Sequence, residues 1–157
     1  MSIDLLSAQA KELLQASPNL ISALANTAAL LAESLPNLNW AGFYLMHQGR
    51  LVVGPFCGKP ACIEIKPGHG VCGTAVQKNQ VLCVPDVHRF PGHIACDSAS
   101  NSEIVLPIHR NGQVIGVLDL DSPVFSRFGE KECSVLQAVV SEIETSGLFE
   151  APGYTLD

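Results

Sequence analysis

The chain is short of basic residues. Nine Lys and Arg stand against fifteen Asp and Glu among 157 residues, a formal net charge of −6. The nine are spread along the chain and form no basic stripe of the kind a phosphate backbone requires. Nucleic acid is therefore not expected as a partner. No apolar run approaches the roughly 20 residues of a bilayer-spanning helix. The longest, "ISALANTAALLAESL", is Ala-rich and carries Asn26 and Thr27, so no membrane contact is expected. The first residues, "MSIDLLSAQAKELL", have no basic region ahead of an apolar one and do not read as a secretory signal. Internal repeats, low-complexity tracts and linkers are also missing. Together these absences predict one soluble, cytoplasmic domain over residues 1–157.

What is present is an apolar, cysteine-bearing chain. Hydrophobic residues make up 47%, enough for a single core at this length. A reducing compartment disfavours a stabilising disulfide framework, so six cysteines raise the weight of redox or metal chemistry. Plain burial remains an ordinary fate for a free cysteine.

Periodicity sets the layout. Residues 3–15 read as an amphipathic helix. "SPN" at 17–19 starts a second helix, with Ser17 as N-cap and Pro18 in the first turn, running to about Leu35. "WAGFYLM" and "LVVGPF" are strands around the turn "HQGR". "GHGVCGTAVQKN" is a glycine-rich entry to a short helix, and "QVLCVPDV" a further strand. A long loop occupies about 86–102. Asn111-Gly112 then joins two strand patterns in a hairpin, and a helix closes the pattern over about 129–145. The result is α+β, an antiparallel sheet with helices against one face.

Taken one at a time, the cysteines differ. Cys133 and Cys83 fall in a helix and a short strand, where packing is the expected role; Cys57 is ambiguous. Cys62 is expected in a loop or at a strand edge. Cys72 stands near a helix start, where N–H groups favour a thiolate. Cys96 lies in the polar run "CDSASNS", which no core needs. Cys83, His88, His93 and Cys96 are singletons that fit no strong zinc pattern, and the two histidines read as ordinary loop residues. Asp119 and Asp121, at i and i+2 in one strand, share a face. They are either solvent-exposed or the floor of an ammonium-binding pocket, because two buried aspartates repel unless a cation lies between them. An unbroken two-residue turn would pair Glu103 with Leu120 and send Glu103 to the opposite face. Gathering all three acids needs a bulge, an odd loop, or Glu103 outside the regular pairing. Trp40 is the single tryptophan, with Tyr44 four residues on. It is a core residue or a flat pocket wall suited to a methyl group or a polarised sulfur.

"NWAGFYL", "GPFCGKPACIEI", "GVCGTAV", "FPGHIACDSASNSEIVLP" and "NGQVIGVLDLDSP" closely resemble the free methionine-(R)-sulfoxide reductases, which are single GAF domains. The resemblance spans about residues 36–130. It implies a GAF-like fold, with N- and C-terminal helices on one face of the sheet and a loop-built pocket on the other. It also implies reduction of free methionine sulfoxide, with thioredoxin as reductant and no cofactor or metal. It assigns the nucleophile to Cys96, the resolving thiol to Cys62 through a Cys62–Cys96 disulfide, and an auxiliary thiol to Cys72. Glu103, Asp119 and Asp121 match its carboxylates and Trp40 its aromatic wall; Tyr44 joins the substrate-binding set. Cys57, Cys83 and Cys133 lie outside that pattern.

The chemistry is consistent with this. A sulfoxide needs a proton or strong hydrogen bond on its oxygen before a thiolate can attack its sulfur. An acid kept protonated near neutrality, Glu103, would supply it. At a pKa of about 8.5 only roughly 3% of a thiol is ionised at pH 7, so Cys96 would need backbone N–H groups around it. The substrate carboxylate would need loop amides too, since no arginine is placed to meet it. The same residues also fit a non-catalytic sensor or a disulfide switch acting on a partner protein. The oligomeric state is open, a homodimer included.

Overall fold

The computed structural model describes residues 3–150. Four helices and six strands follow in the order α1 (Leu6–Ala16), α2 (Leu20–Ser34), β1 (Trp40–His47), β2 (Arg50–Gly58), β3 (Glu64–Ile65), α3 (Gly70–Lys78), β4 (Leu82–Val84), β5 (Ser102–Arg110), β6 (Gln113–Ser122) and α4 (Glu130–Thr145). All strand pairings are antiparallel, in the sheet order β3-β2-β1-β6-β5-β4. This is the α+β arrangement expected from the pattern. No helix among the described residues is long and apolar enough to cross a membrane.

The two central hairpins turn on two residues each, both with positive φ: Gln48 and Gly49 (50° and 78°), then Asn111 and Gly112 (52° and 77°). Such turns match the right-handed twist of the flanking strands. The cap of α2 differs from expectation. Asn19 rather than Ser17 stands at the N-cap, its side chain accepting the Ser22 N–H at 2.9 Å. Ser17 instead closes α1, its hydroxyl donating to the Leu13 carbonyl. The amide oxygen of Asn19 is one residue from the helix, where the orphan N–H groups begin. On α4 the Glu132 carboxylate accepts the Gly129 N–H at 2.9 Å, closing the first turn. The strand expected over "QVLCVPDV" is only Leu82–Val84, and the following loop holds a single 3-10 turn at Val87–Arg89.

The sheet separates two cores. Ala41, Phe43, Leu45, Ile104, Leu106, Leu118 and Leu120 face α1, α2 and α4. Trp40, Tyr44, Val105 and Val117 face the other way, against α3 and the loops. This is the period-2 alternation of strands covered on both faces.

One irregularity matters for everything above that second face. Arg110 pairs with Gln113 and His109 with Val114, as a two-residue turn dictates, but Ile108 pairs with Gly116. Ile115 is the extra residue, and it is buried in the helix-side core. Beyond this bulge the register is shifted by one, so Glu103 faces Asp121 and Val105 faces Asp119. Across β1, Trp40 faces Asp121 and Gly42 faces Asp119.

Gly42 has no room for a side chain. A Cβ there would overlap Phe56 and come within 2.9 Å of the Trp40 ring. Gly42→Ala should therefore destabilise the fold by roughly 1–3 kcal/mol through overpacking, measurable as a lowered thermal midpoint. It should also displace the Trp40 ring, seen as a shift in the emission of the single tryptophan.

Candidate active site

Glu103, Asp119 and Asp121 stand on the loop-covered face, with carboxylate oxygens within 4.8 Å of one another. All three are buried, at 7%, 5% and 9% exposure. Glu103 is hydrogen-bonded to both aspartates. Two carboxyl groups can share a hydrogen bond only if one holds a proton, and their environment keeps it there. Burial, then the charge of Asp119, holds Glu103 well above the usual carboxylate range. Burial, then Asp121, does the same to Asp119. Asp121 is pushed up to about 6, chiefly by burial, while its hydrogen bond from Glu103 works in the opposite direction. One oxygen each of Asp119 and Asp121 is buried with no hydrogen-bond partner in the protein. Both aspartates line a pocket, and unpartnered buried carboxylate oxygens are what a cationic ligand would satisfy.

Trp40 forms the wall. Its ring stacks on Phe56 at 5.1 Å and on Tyr44 at 5.7 Å between centroids, and its Nε1 donates to the Lys59 carbonyl at 3.2 Å. With Gly42 below it and Gly58 against Cδ1, the ring has one place to lie. Tyr44 reaches the same pocket. Burial and Asp119 push its hydroxyl far above the ordinary phenol range, so it remains a neutral donor.

The cysteines divide sharply. Cys62, in the loop after β2, and Cys96, in the loop after β4, form a disulfide with Cα atoms 5.5 Å apart, across 34 residues of chain. Cys96 lines the pocket. Cys72 lies on α3 as expected, but not as a thiolate. It is buried, and desolvation followed by the charges of Asp119, Glu103 and Asp121 holds the thiol well above its usual range. The helix N-terminus is outweighed by three acids, and Cys72 donates its S–H to Asp119. Cys83 corrects a packing expectation: it is exposed, its thiol donating to the Phe128 carbonyl at 3.0 Å. Cys57 and Cys133 are half-buried against the helix-side core.

The singletons do not gather into a zinc site. His88 pairs with Asp86 at 2.9 Å, Cys83 is on the other face, and Cys96 is in the disulfide. Among the described residues the one grouping with metal-ligand spacing is the carboxylate triad itself, so a cation of any kind would enter there. His93, read as an ordinary loop histidine, lines the pocket, as do Asp97 and Ser100. Burial, then His88, lowers the His93 pKa and keeps it neutral. Only their closeness to Cys96 in "GHIACDSAS" marked these residues in the sequence.

Residues 19–146 match the GAF domain family. The chain is 57% identical over 124 residues to the free methionine-R-sulfoxide reductase of Escherichia coli (strain K12), covering 79% of this chain and 75% of that one. The chain belongs to the free methionine-R-sulfoxide reductase family of GAF domains. Two solved structures extend the likeness to three dimensions. The reduced form of fRMsr of Staphylococcus aureus is 47% identical, covers 92% of this chain and 94% of its own, and superposes with a TM-score of 0.89. The reductase of Neisseria meningitidis, in complex with its substrate, is 38% identical, covers 92% and 87%, and gives 0.88.

The buried acids of this family member set a pH dependence. Asp121 keeps its proton in the fold up to about 6, whereas an unfolded aspartate releases it near 4. The folded state thus binds more protons between these values, so this group's stabilisation is complete below about 4 and is lost as pH rises through about 6. Thermal melts of the substrate-free protein should show stability falling across that window. Asp121→Asn should flatten the fall and raise stability at pH 7 by on the order of 2 kcal/mol.

Proposed function

We propose that this pocket reduces free L-methionine-(R)-sulfoxide to methionine with Cys96 as nucleophile. The observation that carries this is the joining of a Cys96–Cys62 disulfide to a pocket floored by three buried acids, in a chain of this family. The orphaned oxygens of Asp119 and Asp121 take the substrate ammonium, a group that a methionine inside a polypeptide lacks. A cation there favours the ionised aspartates, and the shared proton then resides on Glu103. The methyl group and sulfur lie against Trp40.

Chemistry follows from that placement. Glu103 donates its proton to the sulfoxide oxygen as the Cys96 thiolate attacks the substrate sulfur. The attack forms a sulfur–sulfur bond between Cys96 and the substrate as the sulfur–oxygen bond breaks and the oxygen leaves as water. A water then attacks the Cys96 sulfur and breaks the sulfur–sulfur bond, so methionine leaves and Cys96 is left as a sulfenic acid. The substrate is reduced by two electrons and Cys96 is oxidised by two. Cys62 then attacks the Cys96 sulfur, releasing water and forming the disulfide. A dithiol reductant of the thioredoxin type returns both thiols by exchange. Cys72, a protonated donor to Asp119, holds that carboxylate in place. The site works in the cytoplasm, where such reductants are abundant.

Thioredoxin-coupled NADPH oxidation tests this with the free (R) epimer, the free (S) epimer and a peptide-bound sulfoxide. Turnover of the free (R) epimer alone is expected, and Cys96→Ser should abolish it. Cys62→Ser should release about one methionine per protein and then stop, leaving a sulfenic acid that a dimedone probe labels. A folded, reduced protein that turns over none of the three overturns the reading and favours a ligand-binding GAF sensor.

A further inference from the structure

We propose that Asn39 is a positioning residue for the nucleophile: its side-chain amide bridges Asp97 and Ser100, and so fixes where Cys96 stands once the disulfide is opened. The inference rests on the reductase reading above. Asn39 immediately precedes Trp40, and its backbone N–H donates to the Asp121 carbonyl at 3.0 Å, which fastens it to the strand that carries two of the acids. Its Nδ2 donates to Asp97 Oδ2 and to Ser100 Oγ, both at 3.0 Å. Two acceptors on one amide nitrogen use both of its hydrogens.

The orientation of this amide is dictated by charge. The Ala99 N–H, then Asn39 itself, holds the Asp97 carboxyl below the usual range. Turning the amide over would set Oδ1 against that carboxylate. Oδ1 instead lies buried with no partner, so the side chain leaves its acceptor unmet in order to make both donor contacts. Asp97 in turn accepts the Ala99 N–H at 2.9 Å, and its carbonyl accepts the Ser100 N–H. Residues 97–100 are one hydrogen-bonded turn, gripped at both ends by Asn39.

What makes the grip matter is the redox cycle. Beyond this turn, Asn101 is tied to Ser122 and Pro123. Among the described residues, apart from the local bond from the Cys96 N–H to the Ile94 carbonyl, the hydrogen bonds that join residues 95–100 to other parts of the molecule are the two from Asn39. In the oxidised state the Cys62–Cys96 bond also pins the loop. That pin is gone in the reduced state, which is the one that meets substrate. The thiolate must then be held within reach of a sulfur fixed by the strands, and misplacement by about 1 Å can cost 10²-fold in rate.

The test is a donor–acceptor exchange. Asn39→Asp sets a carboxylate against Asp97, and should lower kcat for the free (R)-sulfoxide roughly 10- to 100-fold. KM should change less than about threefold, because the ammonium and methyl contacts lie on the strands. The double variant N39D/D97N restores the hydrogen bond in the reverse sense and should recover most of kcat. The thermal midpoint of the oxidised N39D protein, with the loop pinned by the disulfide, should stay near that of wild type. Hydrogen–deuterium exchange over residues 95–100 of the reduced protein should rise in N39D and fall again in the double variant. An N39D protein with kcat within twofold of wild type and unchanged exchange overturns the proposal. So does a loss that the double variant does not repair. If wild type itself turns over no sulfoxide, the reductase reading fails, and exchange in the reduced protein still decides the role of Asn39.

Discussion

The position of a single residue, Ile115, governs the chemistry of this molecule. Side chains on a strand alternate between faces, so one unit of register decides whether Glu103 lies with the aspartates or behind them. The Asn111-Gly112 turn alone would put it behind. Ile115 bulges from β6 into the helix-side core, Ile108 pairs with Gly116, and every residue beyond is advanced by one. Glu103 then faces Asp121 across the ladder. Gly116 makes this possible: a Cβ there would press on the Tyr44 carbonyl at 2.6 Å and on the Leu45 side chain. The bulge is held by ordinary apolar burial of Ile115 rather than by anything in the pocket. The helix-side core thus fixes the geometry of acids on the other face.

Holding three carboxyl groups in such a place costs the fold. Two orphaned oxygens and the mutual repulsion of Asp119 and Asp121 are stabilising contributions forgone. The protein offsets them elsewhere, with a strand face of Ala41, Phe43, Leu118 and Leu120 that is wholly covered by helices. Strain kept at a site and repaid by the core is the expected trade between stability and activity.

The sequence disclosed the elements better than their termini, and the residues better than their states. Alternating strands, the two positive-φ turns and the amphipathic closing helix were readable because each is a local property of consecutive residues. Ser17 was misread as a cap because Ser and Asn satisfy the same N–H groups and only the chain path separates them. The bulge could be named as a requirement for gathering the acids but was not located, although the isolated strand glycine Gly116 in "QVIGV" is the one local mark of it. His93, Asp97 and Ser100 were invisible as pocket residues because the fold of a long loop is not written in its periodicity. The exposed thiol of Cys83 escaped for a related reason: β4 has only three residues, and its edge lies open.

Cys72 shows most plainly why position in the sequence does not settle a thiol's state. A helix N-terminus supplies about half a positive charge, and it is felt mainly by groups in water or at the surface. Cys72 is fully surrounded, and after burial itself the charges that act on its thiol are those of three carboxyl groups. A thiolate there would add a fourth negative centre to a pocket that already retains a proton. The thiol therefore stays neutral and serves Asp119 as a donor. Cys96 is placed differently. It is carried on a loop and only half-buried, and its neighbours Asp97 and Ser100 are tied back by Asn39. Three buried carboxyl groups would suppress the ionisation of any thiol placed among them, so in the proposed mechanism nucleophile and acid come from different layers. In the proposed mechanism strands deliver the acid and a loop delivers the thiol, and on that reading the loop needs an anchor of its own.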